Sequence, residues 1–581
     1  MKSTLPGWLK AELAPDPERI RRTGHITLSV LAVLVVMLAV RMPFLSIGPY
    51  LVFLLAQDET LSTRIGALLG IAVASVSCLL IFLIAAVAFD APWLRLALFS
   101  ASFFGCYYLI CTLSEPKAVL GPLVVLTLFM GAFDQVPSAT YLFTQLAWLW
   151  AVLLLVVAVT LLSQWLCGIP TATELVRMRL NARMAAAAAA LRSKPERWSP
   201  LPGARAKLYE TLERMVLAGL LQPRQADNYA TLMTLFDRIE ALARSESRSS
   251  GSCRARFGAA ARRVEVLAHA ITAERPLPPR NAASDDALLH LPEGLRETIE
   301  IAENTWVGMG SRSPASAEAP VAPALIKEDF FTNPLHAAFA ARATAATMAC
   351  YLIMSALHWQ GIHTCMVTCA VTALVTAGAQ VRKQALRLLG AAVGGALGIA
   401  AMVAVIPHLD SLPGLLLVVG TVSALAGWIS LGSVRTSYAG WQIALAFFMT
   451  VLQEPHPTTS LDVLRDRWVG IVLGIVAMRV AFDFGWPQSA LDLLRIRIVE
   501  TRDTIEQFMD RATNAIPTAA PARLCTREIA TSLAMAGDLL AEAEIERSYS
   551  NEGMGSSIER MRTEFAETGR LFTKALARRT C

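Results

Sequence analysis

The segment "TSLDVLRDRWVG" at 459–470 places Asp462, Arg465, Asp466 and Arg467 within six positions. Asp462 and Asp466 are four apart and Asp462 and Arg465 three apart, spacings that bring side chains onto one helical face. A guanidinium can hold an organic carboxylate through two parallel hydrogen bonds, and a nearby aspartate can take up a proton. The same four residues could equally form an ion-pair cap at a helix end. A second group, Tyr438, Trp441 and Gln442, also shares a helical stripe. Two rings and an amide would suit an aromatic acid, and ordinary helix packing would give the same stripe. Asp58 and Glu59, close to Arg64, could line a vestibule or sit in a solvated turn.

Other chemistry is poorly supported. His363 and Cys365 would point about 200° apart on a helix, which is wrong for joint metal ligation, so neither they nor Cys369 are expected to hold a metal. No G-x-x-x-x-G-K-[ST] loop occurs, and no nucleophile–base motif. The chain is therefore expected to be no enzyme and to need no cofactor.

The elements that must position these groups are membrane helices. The chain of 581 residues is 55% hydrophobic and 17% charged, against roughly 25% charged in soluble domains. A soluble core cannot absorb that much apolar sequence, and lipid can. The net charge of +6 is small and uneven, which argues against nucleic acid as a partner. The ten cysteines form no pairs in outward loops, so no disulfide framework is expected.

A span needs about 20 mostly apolar residues. The first block offers 25–44, a short 46–56, 61–89, 92–113, 117–133 and 140–167; the second offers 337–359, 362–379, 384–406, 412–432, 436–453 and 466–486. With both termini in the cytoplasm, Arg19, Arg21, Arg22, Arg64, Arg177, Arg179, Arg183, Arg342, Arg382, Lys383, Arg387, Arg435, Arg495 and Arg497 all fall inside, as membrane topology favours. Arg465 and Arg467 dissent. The first apolar run lacks a cleavage site after it and reads as a retained span.

The predicted organisation is an N-terminal cytoplasmic segment (1–24), a first transmembrane block (25–169), a cytoplasmic helical domain with linker (170–335), a second transmembrane block (336–487) and a C-terminal cytoplasmic helical region (488–581). The fold class is an all-α polytopic membrane protein. "STRIGALLGIA" (62–72) parallels "ALRLLGAAVGGA" (385–396), and "GPLVVLTLFMGAFDQ" parallels "GWQIALAFFMTVLQE". Six spans per block give both copies the same orientation, a parallel repeat of the kind that binds substrate at its interface. Gly66 and Gly70, like Gly390 and Gly394, are four apart and should let helices approach closely. The cations Arg382, Lys383 and Arg387 before the second pair read as a helix foot at the headgroups.

"FFTNPLHAAFAARATAATMACYLIMSALHWQGIHTCMVTCAV", "RTSYAGWQIALAFF" and "LRDRWVGIVLGIV" resemble the fusaric-acid-resistance superfamily (FUSC), in its multidrug-resistance branch, with "WQGIHTCM" the most specific piece. That resemblance implies a bacterial inner-membrane efflux subunit, driven by the proton gradient, exporting aromatic carboxylic acids or other toxic, drug-like organics. It also implies a periplasmic membrane-fusion adaptor and an outer-membrane channel as partners, alongside membrane lipid, and assembly as a homo-oligomer is expected. The alternatives are a passive gated organic-anion channel and a non-transporting membrane scaffold.

Overall fold

The computed structural model describes residues 17–56, 59–113, 117–136, 138–192, 202–246, 254–273, 275–279, 291–309, 326–327, 329–409, 411–432, 436–453, 462–483, 489–514, 519–547 and 554–578. Among them the chain is helical, with one isolated antiparallel bridge between Leu113 and Ile326 and no strand. It forms two compact units, Met1–Ile169 with Pro323–Gln488, and Pro170–Ala322 with Ser489–Cys581.

The first unit begins with α1 (Pro17–Val40), α2 (Ile47–Leu55), α3 (Thr60–Ala88), α4 (Pro92–Thr112), α5 (Lys117–Ala132) and α6 (Ala139–Leu166). Among the described residues, seven helices in the chain are long and apolar enough to cross a membrane, and four of them are α1, α3, α4 and α6. Their outward faces carry bare apolar side chains such as Leu68 and Trp93, at 71% and 84% exposure, which only lipid solvates well. In lipid every backbone amide must find its partner inside the segment, which leaves the helix as the available form here.

For the second block, this unit's α12 (Pro334–Ala356) runs through a 3₁₀ turn (Gln360–His363) into α13 (Thr364–Thr372). Then come α14 (Ala377–Ala400), α15 (Leu412–Ser430), α16 (Ser437–Val451) and α17 (Asp462–Asp483). The remaining three membrane-length helices are α12, α15 and α14 with its π and 3₁₀ extension to His408. Helices α2 and α13 are only nine residues each, and both end in an extended alanine, Ala56 and Ala373. The turns that lead into them hold Arg41 and His358 with φ of 56° and 51°, a left-handed conformation costing about 1–2 kcal/mol for a side chain with a Cβ. The expected second span of each block is thus a broken half-helix.

Packing partners recur between the blocks. Helix α1 packs on α15, and α12 packs on α4. Helix α2 lies against α6 and α16, while α13 lies against α17 and α5. Each first span therefore meets the fourth of the other block, and each half-helix meets the sixth of its own block and the fifth of the other.

Helices α14 and α16 approach each other closely. A Cβ at Gly390 would lie 2.5 Å from the Gln442 Cβ and 2.8 Å from the Ala439 carbonyl oxygen; one at Gly394 would lie 2.3 Å from the Ile443 oxygen. The close approach expected in the first block is missing. Among the described residues, a Cβ at Gly66 would meet nothing within 4 Å and one at Gly70 only the Leu55 side chain, at 3.9 Å. The physical reason is that α3 meets α6 through larger side chains, with Trp150 donating to Ser75 at 3.2 Å.

The second unit contains α7 (Ala172–Arg192), α8 (Pro202–Leu217), α9 (Pro223–Glu246), α10 (Arg254–Ala273), α11 (Glu293–Met309), α18 (Ala490–Asn514), α19 (Ala519–Arg547) and α20 (Met554–Arg578). The central and C-terminal segments, read from sequence as separate regions, pack into this one unit through α8 with α19 and α9 with α20. At its core Arg263 pairs with Glu303, side chains 8% and 6% exposed, and also donates to the Pro278 carbonyl at 3.2 Å. Removing one member of a buried pair strands the other. Glu303→Ala is expected to cost about 3–5 kcal/mol. Limited proteolysis of the full-length protein across 170–322 would register it, and wild-type protection would contradict it.

Candidate functional site

Two arginines are buried inside the first unit. Arg387 lies ten residues into α14, about 15 Å along the helix at 1.5 Å per residue. It is 1% exposed, so protein, and not the water or headgroups that its place in a cation run suggests, surrounds its side chain. The neighbouring Arg382 and Lys383 precede it by one turn; the turn of helix between them and Gly390 carries Arg387 inward. Its Nε donates to Thr368 Oγ1 at 3.1 Å, and its Nη1 donates to Gln442 Oε1 at 3.2 Å and Tyr438 Oη at 3.4 Å. Thr368 comes from half-helix α13 and donates in turn to the Thr364 carbonyl at 2.7 Å. Tyr438 and Gln442 come from α16, held at this depth because Gly390 lets the two helices close.

Arg467, on α17, is 4% exposed. Its Nη1 donates to the Met449 thioether, its Nε has no hydrogen-bond partner among the described residues, and its backbone carbonyl accepts from Thr364 Oγ1 at 3.3 Å. Arg387, Arg467, Tyr438 and Tyr50 of half-helix α2 all lie within electrostatic reach of one another. Lys383 adds a third cation, its Nζ 5.4 Å over the Tyr438 ring. Among the described residues neither Arg387 nor Arg467 touches a carboxylate. The groups around Arg387 are neutral acceptors, which satisfy hydrogen bonds and leave the charge in place. Both half-helices converge on this site, α13 with Thr364 and Thr368, α2 with Tyr50.

The four residues 462–467 do not act as one cluster. Arg465 is 59% exposed and pairs with Asp462 at 3.0 Å and Asp466 at 2.8 Å, and its guanidinium lies 5.6 Å over the Trp359 ring. Arg467 turns the other way, into the unit, because two residues on a helix are about 200° apart. The Tyr438 stripe splits as well. Tyr438 and Gln442 reach Arg387, while Trp441 packs in an apolar cluster with α1, α6 and α15. Glu59, 1% exposed, caps α3 by accepting from the amides of Leu61 at 2.7 Å and Ser62 at 2.9 Å. Asp58 lies outside the described residues. Cys365 and Cys369 are fully buried, and the Cys369 sulfur sits 3.6 Å from that of Cys350. No group of three metal-ligating side chains occurs among the described residues.

Sequence reasoning missed Arg387, Thr368, Tyr50 and Met449. One signal was available for Arg387. It stands between Leu386 and Leu388, past the end of the cation run and one turn before Gly390, where a helix is already committed to the membrane.

Comparison with known proteins points to the same helices. Residues 348–481, from α12 to α17, match the family described as fusaric acid resistance protein-like. The chain is 32% identical over 207 residues to the multidrug resistance protein MdtO of Escherichia coli (strain K12), covering 35% of this chain and 30% of that protein. With the protein of the same name from Escherichia coli O157:H7 it shares 25% identity over 491 residues, 81% of this chain and 70% of the relative. A third, from Escherichia coli O6:H1, is 34% identical over 187 residues, 27% of its own length. Most of these alignments thus span less than a third of the relative. No solved structure matches the chain. The family match thus falls on the helices that hold Arg387 and Arg467 in this multi-pass membrane protein, and the similarity to a multidrug resistance relative runs along four-fifths of the sequence.

Proposed function

We propose that the protein is the inner-membrane subunit of an efflux system and exports organic carboxylates, aromatic acids among them, by binding the carboxylate between Arg387 and Arg467. One observation carries this reading: two guanidiniums are buried within electrostatic reach of each other, and among the described residues the groups they hydrogen-bond are all neutral. Each costs at least about 2.5 kcal/mol in a membrane helix, and the fold retains both. A visiting anion offsets that cost, whereas a resident carboxylate would compete with it. Tyr438, Tyr50 and the Gln442 amide supply ring faces and polar contacts beside the charge. Irregular backbone at membrane depth is tolerated where it lines a cavity or is buried in protein, and the two half-helices meet at this point.

The relatives' name supports resistance by export, and the family resemblance supports a periplasmic adaptor and an outer-membrane channel as partners. Cation placement supports cytoplasmic termini. The recurring helix contacts support reading the two blocks as parallel repeats. The proton gradient is the proposed driving force.

The experiment is a growth screen of a deletion strain against aromatic acids and common drugs, complemented with variants. Arg467→Ala is expected to lose tolerance to the level of the deletion. Arg465→Ala, which removes two ion pairs of a half-exposed arginine, each worth about 0.2–1 kcal/mol, should stay within about twofold of wild type in inhibitory concentration. Equal effects of the two would remove the buried-site reading, and unchanged tolerance in both would favour a scaffold.

A further inference from the structure

The stripe that carries Arg387 continues toward the start of α14. Gln380 and Gln384 precede it by seven and three residues, on the same face at a period of 3.6. Both are 4% exposed, and the Nε2 of each has no hydrogen-bond partner among the described residues. A buried amide donor without a partner costs about 1–3 kcal/mol, so two in successive turns are a costly way to pack a helix. Lys383 lies between them in sequence, its ammonium against the Tyr438 ring. The helix itself begins at Thr376, whose side chain accepts from the Ala379 amide at 3.2 Å, so the positive end of the α14 dipole faces the same region. Donors and positive charge recur along this stretch, whereas the Gln442 oxygen and the hydroxyls lie at Arg387.

We propose that the first two turns of α14 form a second anion-binding station, built by Gln380, Lys383 and Gln384, from which an anionic ligand passes to Arg387. The inference rests on the reading of Arg387 and Arg467 as an anion site and adds a step to it. Passage through a membrane needs sites that bind well enough to admit an ion and weakly enough to release it. Neutral amide donors suit the weaker station, and a pair of guanidiniums suits the stronger one. The ligand class that fits both is a monovalent organic carboxylate, which presents two oxygens to donors and no donor of its own.

The test uses the full chain, purified and reconstituted in lipid vesicles, with radiolabelled benzoate as the probe. Flux is measured in the vesicles and equilibrium binding on the detergent-purified protein. Gln380→Leu with Gln384→Leu is expected to lower benzoate flux about tenfold or more, as loss of one or two hydrogen bonds to a charge would, while binding changes by less than about twofold. Gln380→Glu with Gln384→Glu keeps the shape, replaces donors by acceptors, and should stop flux equally; it serves if the leucine protein does not fold. Wild-type flux in a folded variant of either kind overturns the second station. A parallel loss of binding also overturns it, since the glutamines would then merely hold Arg387 in place. Arg387→Ala separates the two levels. If it leaves benzoate binding intact, the underlying anion-site reading falls; if it abolishes binding while the glutamine variants keep full flux, only the station falls.

Discussion

Arg387→Ala is expected to abolish measurable binding of organic carboxylates and to return a complemented deletion strain to full sensitivity. The size of the effect follows from what the guanidinium does. It supplies one of two buried charges at the site and holds Thr368, Tyr438 and Gln442 in a single geometry. Hydrogen bonds to a charged group are worth about 1.5–3 kcal/mol, so losing the group should weaken binding roughly 100-fold. Arg387→Lys keeps the charge and loses the fork that reaches three partners on two other helices, and should recover only part of the affinity. Isothermal titration of the purified protein with benzoate distinguishes these outcomes. Affinity within threefold of wild type in Arg387→Ala would remove this residue from the function.

Gly394→Val is expected to prevent assembly of the first unit. A Cβ there would stand 2.3 Å from the Ile443 carbonyl oxygen and 2.9 Å from the Ala446 Cβ. The first of these is backbone and cannot step aside by a change of rotamer. Overpacking of a core costs about 1–3 kcal/mol when side chains can give way, and here α14 and α16 must separate, which also withdraws Gln442 from Arg387. Gly66→Ala is the matched control. With no heavy atom within 4 Å of its added methyl, it should leave the protein intact and gain up to about 1 kcal/mol from helix propensity. Size-exclusion chromatography of detergent extracts reads both, and a monodisperse Gly394→Val protein would mean that the helix contact is softer than its geometry indicates.

The long spans were legible because lipid imposes one demand, a run of about 20 apolar residues, and α1, α3 and α6 meet it in plain sequence. Gly390 and Gly394 were legible too, as small residues at helical spacing. Gly66 and Gly70 have the same spacing and a different setting, because spacing says that a face is smooth and not what lies against it. Arg387 was hidden by its neighbours: three cations in six positions read as one foot, although 15 Å of helix at about 1.5 Å per residue separates the last of them from the start of α14. Arg467 was found but grouped wrongly. Adjacent letters in "RDR" look like one cluster, and a helix turns them to opposite sides. Tyr50 lay beyond sequence reasoning, since it reaches the site only through the contact of α2 with α16, hundreds of residues apart in the chain.

The seven segments that, among the described residues, are long and apolar enough to enter a bilayer unaided are mostly not those that bear the binding groups. Of the helices around Arg387 and Arg467, α2 and α13 have nine residues, α16 has fifteen, and α17 begins with four charges in six positions. The seven long helices are therefore expected to partition first, with the weaker ones recruited afterwards onto the surfaces those provide. A ribosome-bound chain stopped before Arg467 emerges would hold all seven of these helices while still lacking half its binding charge, so ligand affinity is expected only after α17 has been made.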